Sequence, residues 1–192
     1  MEKLFLLDKP TMEKINNNIN GTEGRHGLMV ETHDNMFAAL APSPDLDKLN
    51  EAILKDLAPH INKLASNDAG EERVMLWSWL RHHFSIASMS AIYGSDHPFV
   101  DHPELEPLFW DLDANVVTLM AYPLPSITVR KGFLARQKLF DVMTEYSQKE
   151  GYRRASALIQ SRYDVNKRHG LDDSMLGRGE GMLPNSEYRY VY

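Results

Sequence analysis

The chain has 192 residues, of which 43% are hydrophobic and 25% are charged, as is ordinary for a globular protein with its own core. A formal net charge of -6 argues against a nucleic-acid-binding protein, which needs a basic face to neutralise phosphates. The chain contains no cysteine, which excludes disulfides, cysteine-ligated zinc, iron–sulfur clusters and thiol nucleophiles. No membrane span is predicted, because no apolar stretch approaches the length of a spanning helix.

Helical patterns dominate, and the chain begins with short elements. The apolar run 4–7 is compatible with a short strand, and a short helix is predicted over 10–19. The segment 16–33 is rich in Asn, Gly and Thr and predicts a loop. Ser43 is then a good N-cap for a longer helix, with Pro44 at its first position.

The helix that follows Ser43 has apolar residues at helical spacing, but a proline interrupts the pattern. Pro59 is expected to kink this helix or to end it, because proline lacks the N–H that the helix needs. The repeating apolar residues are Leu46, Leu49, Ile53, Leu57 and Ile61.

Two segments with the spacing of a capping box are expected to open the next two helices. Asp-Ala-Gly-Glu at 68–71 precedes one helix, which Gly94 should end as a left-handed C-cap. Asp-His-Pro-Glu at 101–104 precedes another, which Pro123 and Pro125 should end. The apolar faces consist of Leu76, Leu80, Phe84, Ala87 and Ala91 in the first helix and Phe109, Leu112, Val116 and Met120 in the second.

Two more helices are predicted, over 129–148 and over 152–167. Leu139, Met143 and Tyr146 share one face of the first. From Gly177 onward the periodicity is lost, and residues 183–192 form an atypical tail. The sequence therefore predicts a mainly α fold, with residues 1–192 in one domain.

Several short motifs follow one another in an order and spacing that resemble a known family. They resemble fungal cytochrome P450s of the group related to sterol 7-hydroxylases and prostacyclin synthase, over most of residues 1–180. The motifs are Leu-Ala-Pro at 40–42, Asp-Leu-Asp at 45–47, Leu-Trp-Ser-Trp-Leu-Arg at 76–81, Ser88, Ala-Ile-Tyr-Gly at 91–94, Pro-Phe at 98–99, Phe-Trp-Asp at 109–111, Pro123, Pro125, Ala-Arg at 135–136 and Leu139.

The resemblance implies an incomplete domain: the helices that precede the central oxygen-activating helix. It implies that the complete protein is a haem-thiolate monooxygenase, which inserts one oxygen atom from O₂ into a lipophilic substrate. Its electrons would come from an NADPH-dependent reductase, at the cytosolic face of the endoplasmic reticulum membrane. Such enzymes hold haem iron through a cysteine thiolate. Because this chain has no cysteine, we expect an inactive fragment with no catalytic residue, no metal ligand and no assigned haem contact.

The sequence departs from the family pattern at several points. His97 stands where the family usually has Asn. Glu-Gly-Tyr-Arg at 150–153 satisfies Glu-x-x-Arg, but Gly151 disfavours a helix there, so the match carries little weight. Trp77 and Arg81 match a Trp-x-x-x-Arg pattern that presents Arg to a haem propionate in many relatives. The match falls too late in the chain, so we interpret both as packing and surface residues.

Two other classes of function stay open. One is a non-catalytic helical module that binds a lipophilic ligand or a partner protein. Its apolar side chains could line a channel, although helical spacing is more typical of a core. They are Trp77, Trp79, Phe84, Phe109, Trp110, Met120, Phe133 and Phe140. In a fragment, apolar surface intended for the remainder of the domain would be exposed.

The other class is a metal hydrolase that uses His97 and His102, each of which lies in an Asp-His-Pro triplet. The competing interpretation is that Asp96 and Asp101 serve turns or helix caps. The neighbouring histidines at 82–83 point about 100° apart on a helix, so they cannot bind the same metal ion.

Nucleophilic catalysis has little support, because no Gly-x-Ser-x-Gly motif is present. A group of basic residues is compatible with an acidic partner or a membrane surface, but it is more typical of a solvated helix face. The group consists of Arg153, Arg154, Arg162, Lys167 and Arg168.

Overall fold

A computed structural model describes residues 7–24, 26–65 and 73–180. Every regular element in these ranges is a helix, which confirms the mainly α prediction. None of the described helices combines the length and apolar character needed to cross a bilayer. The α-helices are α1 (Lys9–Asn16), α2 (Leu28–Leu40), α3 (Pro44–Ala65), α4 (Leu76–Tyr93), α5 (Pro98–Asp101), α6 (Leu105–Ala121), α7 (Pro125–Thr128), α8 (Arg130–Gln148), α9 (Ala157–Arg168) and α10 (Asp173–Glu180), and a 3₁₀ helix spans Gly151–Arg154.

Helix α8 lies at the centre of the core and packs most extensively on α6 and α10. The predicted face of Leu139, Met143 and Tyr146 is buried, as expected. Two glycines allow the close approach of its neighbours. A Cβ at Gly132 would lie 2.5 Å from the Cβ of Asn115 on α6, and a Cβ at Gly177 on α10 would overlap the backbone of Thr144. Small residues at these crossings therefore set the interhelical distances.

A smaller cluster joins the N-terminal helices to α9. Ile15, Leu28 and Val165 form its apolar centre. Around it, the carboxylate of Glu31 on α2 lies 3.3 Å from both Arg168 and His169 at the end of α9.

Helix α3 packs mainly on α4 and has no buried side chain among those described. It starts where the sequence predicts, with the Leu46 N–H donating to Ser43 Oγ at 3.3 Å. It does not end at Pro59, which lies inside the helix. Since Pro59 is exposed, its ring lies on the solvent side, where the lost backbone hydrogen bond can be replaced by water.

The loop predicted in the N-terminal part was wrong in its bounds. The loop predicted over 16–33 ends at Gly27, because Leu28 and Val30 are buried residues of α2. The strand predicted over 4–7 lies outside the described residues, except for Leu7, which is in no regular element.

The predicted capping boxes did not open the helices. Residues 68–71 lie outside the described part of the chain. Residues 101–104 do not form a box, because Asp101 belongs to α5 and α6 begins at Leu105 without a side-chain cap. Gly94 does end α4, with φ of +90°. Its ψ of 172° is extended rather than left-handed helical, so the predicted left-handed cap is wrong in its conformation. A Cβ at this position would also meet the carbonyl of Arg154 at 2.8 Å.

The C-terminal elements also differ from prediction. The helix predicted over 152–167 is divided into the 3₁₀ helix and α9, and the Ser156 N–H donates to the carbonyl of Ile92 at the break. Helix α10 runs through Gly177, where the sequence periodicity is lost. The tail 183–192 lies outside the described residues.

Candidate functional site

Polar and aromatic side chains of α4 and α6 meet where the two helices are in contact. The guanidinium of Arg81 lies 4.0 Å from the ring centroid of Trp110, within range of a cation–π interaction. His82 Nδ1 lies 2.7 Å from Glu106 Oε2. These groups border a shallow depression of ≈ 320 Å³, lined by Ser78, Arg81, Glu106, Pro107 and Trp110.

An exposed apolar row runs along the N-terminal half of α4, beside this depression. The row consists of Leu76, Trp77, Leu80 and Phe84, which fall within about 100° of one another around the helix axis. Trp77 is 71% exposed and Phe84 is 54% exposed. Of the two roles considered for Trp77, packing and surface, the structure therefore supports the surface role. The face of α4 expected to be apolar is buried only from Ala87 onward.

The other aromatic and methionine positions separate by location. Phe109 and Phe140 are buried in the core, whereas Met120 is exposed. On α6 the buried face continues through Leu119 instead of Met120. The channel interpretation therefore applies only to the row on α4, which is open to solvent.

His97 is fully buried, and its Nε2 lies 3.1 Å from Ser90 Oγ. Burial lowers the pKa of this imidazole. Nδ1 of His97 has no hydrogen-bond partner among the described residues. This serine–histidine pair therefore lacks the acidic third member of a triad and has no access to substrate, so it acts in packing.

The two histidines of the metal hydrolase hypothesis do not share a site. His97 contacts Ser90 inside the protein, while His102 pairs with Glu104 at 3.2 Å on the surface. Asp96 pairs with Arg154 at 3.3 Å instead of facing either imidazole. In the described part of the chain, no group of three His, Asp or Glu side chains is placed to hold a metal ion.

Most of the basic group has acidic partners within the protein. Arg153 pairs with Glu150 at 2.8 Å, which also makes Glu-x-x-Arg an exposed turn. Lys167 pairs with Asp173. Arg162 does not belong to a solvated face, because it is only 6% exposed. A large basic docking surface is therefore not supported here.

Sequence reasoning missed the partners of Arg81 and His82. Glu106 is 24 residues from His82 in sequence, so no local spacing links them. His82 and His83 face different partners, although their ring centroids lie 4.9 Å apart. His83 faces α3, where its ring centroid lies 4.1 Å from that of His60.

Similarity to known proteins gives the functional context. The chain is 29% identical over 146 residues to the cytochrome P450 monooxygenase nodJ of Hypoxylon pulicicidum, and 25% identical over 159 residues to a cytochrome P450 monooxygenase of Gibberella zeae. These alignments cover 73% and 79% of the chain but 28% and 30% of the relatives. The chain thus spans less than a third of the length of these curated relatives. No family model matches it, and no solved structure matches it significantly.

The cofactor of these relatives' family can be compared with the side chains present. A haem-thiolate centre needs a cysteine as its axial ligand. The sequence contains no cysteine, so its residues do not fit this group by themselves.

Proposed function

We propose that this chain carries part of the helical framework of a cytochrome P450, in the group related to sterol 7-hydroxylases and prostacyclin synthase. The observation that carries the proposal is the similarity to two cytochrome P450 monooxygenases along about three-quarters of the chain. The all-helical architecture of the described residues is consistent with it.

The proposed activity belongs to the whole haem-thiolate enzyme. That enzyme would insert one oxygen atom from O₂ into a lipophilic substrate, using electrons from an NADPH-dependent reductase at the endoplasmic reticulum membrane. When bound, the haem supplies the oxygen chemistry, and the protein positions and tunes it. The residues of this chain do not supply the axial ligand, so no chemical step is assigned to them.

We further propose that the chain alone is catalytically inactive, because it lacks the thiolate. The test is to incubate the purified chain with hemin, a reductase, NADPH and a sterol, beside the intact relative from Gibberella zeae as a haem-loading control. The expected result is no oxygenated sterol and no thiolate-type haem spectrum from the chain. NADPH-dependent oxygenation by the chain would contradict the proposal.

A second candidate is a helical module that binds a lipophilic ligand or a partner protein. The observation that favours it is the exposed row Leu76, Trp77, Leu80 and Phe84. Solution behaviour distinguishes the two. A monomer that melts cooperatively favours a self-sufficient module, whereas loosely packed material that binds hydrophobic dyes favours part of a larger domain.

A further inference from the structure

The interface between α3 and α4 has a polar centre. The inner face of α3 is half-buried and mostly apolar, but Asp56 and His60 lie within it. The half-buried apolar residues around them are Leu46, Leu49, Ile53, Leu57 and Leu64. No described side chain of α3 is buried. The helix is therefore held on α4 by a small apolar contact and by the polar side chains at the centre of that contact.

That centre is a cluster of imidazoles. The ring centroids of His60 and His83 are 4.1 Å apart, with an interplanar angle of 31°. The ring of Trp79 lies 4.5 Å from His83 on the other side, and that of His82 lies 4.9 Å away. Neutral imidazoles can pack in this way, whereas protonated ones repel each other at such distances.

The carboxylates near this cluster can offset the positive charge of protonated imidazoles only in part. Asp56 on α3 lies 3.9 Å from His60, and Glu106 on α6 lies 2.7 Å from His82. His83 has no carboxylate within 4 Å among the described residues. Desolvation is the largest cause that lowers the pKa of His83, followed by repulsion from His60 and His82. Asp56 and Glu106 raise this pKa, but their effect is weaker.

We propose that the His60–His83 contact is a pH-sensitive latch, which holds α3 on α4 at neutral pH and releases it in mild acid. The release would uncover Trp79 and the apolar inner face of α3. It would also enlarge the exposed apolar surface beside the row on α4. This inference does not depend on the proposed P450 function.

The direction follows from proton binding. A histidine in the released state has its ordinary pKa of about 6.5, while the pKa of His83 in the closed state is lower. At pH 7.5 His83 is neutral in both states, so the contact keeps its full strength. Between the two pKa values the released state binds more protons than the closed state. The ratio of released to closed molecules therefore increases by up to roughly tenfold for each unit by which the pH falls.

The experiment is amide hydrogen exchange of the full chain at pH 7.5 and pH 5.5, after correction for the intrinsic exchange rate. The expected result is that amides of α3 lose protection at the lower pH, while those of α8 in the core stay protected. In His83→Gln, which cannot be protonated, α3 should lose this pH response. His60→Gln should weaken it as well, and gives an independent variant if His83→Gln does not fold.

His102→Gln is the matched control, because His102 is a half-buried histidine paired with Glu104 at the start of α6. This variant should keep the wild-type response. Three outcomes would overturn the proposal: unchanged exchange of α3 between the two pH values, a full response in a His83→Gln or His60→Gln variant that retains its fold, or equal loss of protection in α3 and α8.

Discussion

Gly177 determines how closely α10 approaches α8. Any side chain at this position would overlap the backbone of Thr144, which cannot rotate away. We therefore expect Gly177→Ala to lower the free energy of unfolding by about 1–3 kcal/mol through overpacking. In an unconstrained helix the same change would be stabilising by up to about 1 kcal/mol.

Urea denaturation of Gly177→Ala and of wild type measures this difference. Asn50→Ala, on the exposed side of α3, is the control and should stay within about 0.5 kcal/mol of wild type. A more stable Gly177→Ala protein would show that α10 does not pack on α8 as described.

At the scale of one residue, we also expect burial of His97 to make stability depend on pH. Burial lowers its pKa in the folded state, so it resists protonation while the unfolded chain does not. Stability from this residue is complete above the ordinary histidine pKa of about 6.5, and part of it is lost as the pH falls from 7.5 to 5.5.

The variant His97→Asn should have a smaller loss of stability over this pH interval than wild type, as measured by urea denaturation at both pH values. The other histidines are the same in both proteins, so the difference isolates His97. An identical pH dependence in the two proteins would contradict the lowered pKa.

At the scale of elements, Tyr146 joins α8 to the end of α4. Its hydroxyl donates to the carbonyl of Tyr93 at 2.9 Å, and the two rings meet edge to face. Tyr146→Phe removes this buried hydrogen bond, and we expect a loss of about 1–2 kcal/mol. Tyr122→Phe, at an exposed ring, should be neutral in the same thermal melt. Equal melting temperatures for both variants would contradict the role of this bond.

Local sequence rules predicted some elements well. Ser43 marks a helix start through backbone chemistry that depends only on neighbouring residues. The face of α8 followed from apolar periodicity, because this helix is covered on several sides. Such features are readable from the chain because their causes lie within one or two helical turns.

The remaining errors concern contacts between distant segments. Gly177 is needed where α10 contacts Thr144, and Gly132 is needed where α8 contacts Asn115. Similarly, the polar site on α4 depends on Glu106 and on packing against α3. Sequence periodicity predicted the apolar face of α4 but not that this face is exposed. Burial requires a second element that covers the face, and the periodicity of one helix does not specify such an element.

For the whole molecule, the exposed row on α4 affects solubility more than folding. Trp77→Gln should change the free energy of unfolding by no more than about 0.5 kcal/mol, and should reduce self-association seen by light scattering. By comparison, Phe109→Ala removes a core side chain and should cost about 3–5 kcal/mol. Large destabilisation by Trp77→Gln would mean that the row is covered in solution.

For the whole molecule, the proposed role of these helices is to form part of the framework of a haem-thiolate monooxygenase. Its basis is the similarity to two P450 monooxygenases together with the absence of cysteine. The α8-centred core, the α4–α6 contact and the exposed row of α4 are the structural features that such a framework would use.

Sequencing of the native transcript on both sides of this coding region tests the account most directly. The account predicts that the reading frame continues beyond codon 192 into a Glu-x-x-Arg helix and a cysteine haem loop. A stop codon directly after Tyr192 in every transcript would contradict it, and would favour the binding module instead.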